Sequence, residues 1–113
     1  GRFKTQFMTK LKLELISRLE QIDGVSHQAW PDRDDSFSSI NFEGKEIAHF
    51  HNFNEIDLRL GKALIASEGL SHYPDSIKHP KRSANSQFIE LRFRKRADLD
   101  KIVRLFKLLL GEA

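Results

Sequence analysis

The sequence predicts an α+β fold, with an antiparallel sheet of about five strands and helices packed on one face. Three observations carry this. Apolar stripes at spacings of three and four occupy both ends of the chain, runs of alternating apolar and polar residues fill its middle, and single glycines punctuate the junctions. With 113 residues and an apolar fraction of 39%, the chain is read as a single domain spanning 1–113.

The first element is expected as a helix over about 4–21. There Phe7, Met8, Leu11, Leu15, Leu19 and Ile22 form the stripe a core-facing helix needs. Gly24 follows as a C-terminal cap, because glycine adopts the left-handed conformation without steric cost. Val25 to Trp30 reads as a short strand, closed by Pro31 and the acidic run Asp32, Asp34, Asp35. Phe37–Phe42 and Glu46–His51 read as a hairpin turning around Glu43-Gly44-Lys45. On its second strand Ala48 and Phe50 share one face, leaving Ile47, His49 and His51 on the other. Ile56, Leu58 and Leu60 alternate inward again, with Asp57 and Arg59 outward. A short helix over 62–68 closes at Gly69, and 70–86 is expected as a long loop carrying His72, Tyr73, Pro74 and His79. Gln87–Lys95 reads as a strand with Ile89, Leu91 and Phe93 on one face and Glu90, Arg92 and Arg94 on the other. Asp98 is expected to cap a final helix with a stripe of Leu99, Ile102, Val103, Phe106, Leu109 and Leu110. Leu105 and Leu108 fall off that stripe. The predicted order is α-β-β-β-β-α-β-α.

Bulk properties exclude several chemistries. With no cysteine there is no disulfide, thiolate metal site, iron–sulfur cluster or Cys nucleophile, and the expected location is cytoplasmic. No apolar run approaches the roughly 20 residues needed to cross a bilayer, so no membrane role is expected. The N-terminus lacks the pattern of a secretory signal, and Gly1 in place of Met suggests a trimmed start or a piece of a longer chain. The net charge of +3 is unevenly spread: residues 78–107 hold ten Lys/Arg against three acids, after an acidic excess in the preceding residues.

Among local motifs, His49-Phe50-His51 is the sharpest. Residues two apart on a strand point the same way about 6.6 Å apart, so two imidazoles can converge on one metal ion. Asp57 is near enough to add a carboxylate, and His72 or His79 to arrive on the loop. Arg92 and Arg94, on one strand face, suit a bidentate clamp for a small anion. The structural alternative is a pair of half-exposed strand histidines, with the arginines paired across strands to Glu43, Glu46 or Asp57. The run from Asp32 to Ser36 does not fit a calcium loop, because Phe37 stands where the sharp turn requires glycine. No G-x-S-x-G elbow or Gly-rich phosphate loop is present.

Gly24-Val25, the run from Phe42 through Gly44-Lys45-Glu46-Ile47-Ala48 to His49-Phe50-His51, and then Asp57-Leu58 together resemble the "luciferase domain" family of small bacterial proteins. The His72-Tyr73-Pro74 loop and the closing Asp98-Leu99 helix are similar as well, so that the resemblance extends from about residue 11 to 110. The sequence departs from the family at Gln87-Phe88, where members usually carry tryptophan. The family name does not by itself imply light emission.

These observations predict a small-ligand or metal-binding domain built on the His-x-His strand. Its site would comprise His49, His51, Asp57, His72, His79, Arg92 and Arg94, with His49 and His51 as metal ligands. No cofactor is specified. Whether the protein is an enzyme is left open; in one, His49 or His51 would be the acid or base. The competing expectation is a binding module for nucleic acid or an acidic partner, using the basic 78–107 stretch. A third is a homodimer formed through Leu105 and Leu108.

Overall fold

A computed structural model describes residues 2–30, 32–33, 37–72 and 86–112. The elements follow the expected order: α1 (Arg2–Leu19), β1 (Val25–Ala29), β2 (Ser38–Phe42), β3 (Lys45–His51), β4 (Glu55–Leu58), α2 (Lys62–Ser67), β5 (Ile89–Arg92) and α3 (Arg96–Leu110). The strands form one antiparallel sheet in the order β1-β2-β3-β4-β5. No helix among the described residues is long and apolar enough to cross a membrane. Most of the expected long loop, residues 73–85, lies outside the described residues, and with it Tyr73, Pro74 and His79.

Alternation decides which side of the sheet the helices cover. Ile40, Ala48, Phe50, Ile56, Leu58, Ile89 and Leu91 are buried in one cluster with Leu11, Leu15 and Leu19 of α1 and Leu99, Ile102 and Phe106 of α3. Each of the leucine, isoleucine and phenylalanine side chains contributes roughly 1.5–3 kcal/mol by leaving water. Leu105 belongs to that core at 0% exposure, while Leu108 is 42% exposed. The 3.6-residue period carries Leu105 round to its neighbours in the core, so the expected Leu105/Leu108 dimer face is not a surface of the folded chain.

Two junctions differ from expectation in a way that matters for the site. The β2–β3 register shifts between Ile40 and Asn41: Ile40 faces Ala48, but Asn41 faces Glu46. Ile47 is therefore the extra residue of a β-bulge. The bulge breaks the expected grouping of Ile47 with His49 and His51, and Ile47 packs against the hydrophobic core. At the other end β5 stops at Arg92, leaving Arg94 in the exposed turn before α3. Asp98 is the third residue of α3, not its cap. Its Oδ2 accepts the backbone N–H groups of Arg94 (2.8 Å) and Lys95 (3.2 Å), holding the chain as it enters the helix. Gln87 works similarly at α2: its Oε1 accepts the N–H of Lys62 at 3.1 Å.

Candidate functional site

On the sheet face away from α1 and α3, register lines up polar side chains across the strands. Ser39 faces His49, His49 faces Asp57, and Asp57 faces Glu90; one step along, His51 faces Glu55 and Glu55 faces Arg92. Residues directly opposite share a face with Cβ atoms about 4.5–5.5 Å apart, so antiparallel pairing alone assembles the cluster. Most of its members are buried: Asp57 and Glu90 are each 1% exposed, Glu55 6% and His51 8%, while His49 and Arg92 are partly exposed.

His49 is the centre of the group. Its Nε2 lies 3.4 Å from Asp57 Oδ2, and its Nδ1 lies 3.3 Å from Glu46 Oε2. In a regular strand residues 46 and 49 would point to opposite faces; the bulge at Ile47 turns Glu46 onto the histidine's side. The ring of His51 meets that of His49 edge-on at 4.7 Å between centroids. Phe37 stacks on His49 at 5.4 Å, and Phe88 approaches it at 6.3 Å. One donor atom from each of His49, His51 and Asp57 lies within 4.8 Å of the others. Two donors on a single ion at about 2.1 Å each stand at most ~4.2 Å apart, so closure asks for adjustments of about half an ångström.

Charge also bears on the cluster. Arg92 pairs across the sheet with Glu55, its Nε donating to Oε1 at 2.9 Å. Asp57 and Glu90 stand directly opposite each other on β4 and β5, a position where two like charges repel.

The remaining expected residues are distributed elsewhere. His72 lies at the start of the long connection and lines a separate hollow with Ile65 and Leu70. His79 lies outside the described residues. Arg92 belongs to the polar face but is engaged with Glu55, a partner none of the expected cross-strand pairings named. In the basic stretch, Arg96 pairs with Glu14 at 3.0 Å and Arg104 with Glu68 at 2.8 Å, so part of its charge is matched within the fold.

The site expected from sequence did not include Glu46, Glu55 or Glu90. Glu55 and Glu90 carried a usable signal, since alternation puts both on the face of Asp57. Glu46 carried none, because its placement depends on a bulge.

The model of the Luciferase domain family matches residues 44–108, which run from Gly44 of the hairpin turn through the histidine strand, β4, α2 and β5 to most of α3. The chain belongs to the luciferase domain family. Within this luciferase domain the matched segment contains Glu46, His49, His51 and Asp57. No curated protein and no solved structure matches the chain.

Proposed function

We propose that this luciferase domain binds a divalent transition-metal ion through His49, His51 and Asp57. The observation that carries the reading is the convergence of the three donors within 4.8 Å on a buried polar face. Two imidazoles and one carboxylate are ligands that suit zinc or ferrous iron and leave coordination positions open for a small ligand. Glu46, behind Nδ1 of His49, has the position of the outer carboxylate that orients a ligating imidazole. Arg92 would then serve the cluster as a counter-charge to Glu55, with His72 and Arg94 making no contribution to the ion.

Thermal denaturation with zinc, ferrous, manganese and magnesium ions tests this. An ion in hundredfold excess over its dissociation constant stabilises by about 2.7 kcal/mol, or roughly 10 °C in a domain of this size. The expected result is such a shift with zinc or ferrous ion, little with magnesium, and none in His49→Ala. Equal shifts in wild type and His49→Ala would remove the ion from this cluster.

A further inference from the structure

A second feature lies on the helix-covered side, at the edge of the sheet between α1 and the β1–β2 pair. A groove of about 290 Å³ is walled by Leu13, Ile16, Ala29, Trp30, Phe37 and Phe53, with Lys12, His27 and Ser38 as its principal polar groups. That volume is at the lower end for small-molecule sites. Leu13 is 61% exposed, Trp30 42% and Phe53 44%, so three large apolar side chains at the groove stand partly in water.

The polar groups are unusual for an apolar wall. Nε2 of His27 and Oγ of Ser38 are both buried, and neither has a hydrogen-bond partner. Ser38 as a whole is 4% exposed. Buried polar atoms are nearly always satisfied, and an exception asks for an explanation. The two residues are diagonal neighbours on one face, since Ser38 faces Ala29 and His27 lies two positions before it. Diagonal Cβ separations of about 7–8 Å or less can be bridged by a carboxylate accepting at ~2.8 Å on each side. Lys12 adds a positive charge at the groove: its ammonium sits 4.8 Å from the centre of the Phe50 ring, and none of the described residues lining the groove is acidic.

We propose that this groove is a binding site for a small apolar carboxylate, its carboxyl group held by Ser38, His27 and Lys12 and its apolar body laid against Leu13, Trp30, Phe37 and Phe53. Burial lowers the proton affinity of His27, the Lys12 charge acts in the same direction, and Glu20 opposes; the neutral imidazole donates to a carboxylate in the tautomer that carries its proton on Nε2. Phe37 lines the groove and stacks on His49, but the site does not depend on the metal reading.

Trp30 is the chain's single tryptophan, so its fluorescence reports on the groove. The probes are phenylbutyrate and octanoate, with phenylbutylamine as a control of similar size and opposite charge. The expected result is a saturable change in Trp30 emission with a carboxylate, in the micromolar to low millimolar range. Binding should weaken about tenfold or more in Lys12→Met and in Ser38→Ala, and should persist in His49→Ala. Phenylbutylamine should bind at least about tenfold more weakly than phenylbutyrate to the wild type, a comparison that needs no variant to fold. Three results would overturn the proposal: no saturation by either carboxylate up to about 10 mM, equal binding of the amine, or loss of carboxylate binding in His49→Ala.

Discussion

His49 stands between two carboxylates, Asp57 at Nε2 and Glu46 at Nδ1, and the two have different work in the proposed metal site. Asp57 is buried and shares the ion; Glu46, half-exposed, fixes the ring. Glu46→Gln is therefore expected to lower zinc affinity by about 10- to 100-fold, while its effect on stability stays within about 1 kcal/mol, as for other partly exposed ion pairs. Paired zinc titrations and urea melts of this variant check both parts. His27 makes a separate prediction. Its proton affinity is lowered in the folded chain, chiefly by burial, so the unfolded state binds the proton more readily. The sign follows from linkage: stability present above the ordinary histidine pKa of about 6.5 is lost as pH falls through the lower folded value. Urea midpoints measured from pH 7.5 to 5 should fall more steeply for wild type than for His27→Gln. Parallel curves would mean that His27 titrates alike in both states.

At the scale of elements, alternation made most of the sheet legible. Val25, Ile40, Ala48, Ile56, Ile89 and their neighbours announce one buried face, and His49, His51 and Asp57 then fall together on the other. Two things were not legible. The bulge at Ile47 inserts a residue without any glycine to mark it, so the placement of Glu46 beside His49 and of Ile47 in the core could not be read from period two. Burial of the polar face was also hidden, because alternation assigns Asp57 and Glu90 to the side away from the core, which ordinarily means solvent. His27 was passed over for the opposite reason: it alternates with Val25 and Ala29 onto the helix-covered face, where a histidine draws no attention in a short strand. Turn chemistry was clearer. Glu43 and Gly44 both take positive φ, at 51° and 83°, as a two-residue hairpin of the type I′ kind requires. Gly24 is constrained twice, by a φ of +86° and by the ring of Phe42, whose Cε1 would lie 2.9 Å from an added Cβ. Gly24→Ala is expected to cost about 1–2 kcal/mol, read as a lower urea midpoint with an unchanged slope.

For the molecule as a whole, the antiparallel order of the five strands places two different surfaces on one small scaffold. One is the largely buried polar face; the other is the apolar groove beside α1. Phe37 touches both, and Trp30 ties them further by donating Nε1–H to Oγ of Ser39, the residue opposite His49. The long-range ion pairs Arg18–Asp100, Arg96–Glu14 and Arg104–Glu68 account for several arginines near and within the basic C-terminal stretch, which composition alone had offered as a phosphate-binding surface. Charge counts locate such groups along the chain but say nothing of their partners across 36 or 82 positions. The central claim is that His49, His51 and Asp57 act together on one metal ion. Calorimetric titration of zinc into metal-free protein near neutral pH tests it most directly, with His49→Ala, His51→Ala and Asp57→Asn in parallel. The account predicts about one ion per chain, with affinity lowered at least about tenfold in each variant and falling on acidification as protons compete for the imidazoles. Absence of a binding isotherm, or one unchanged across the three variants, would contradict it.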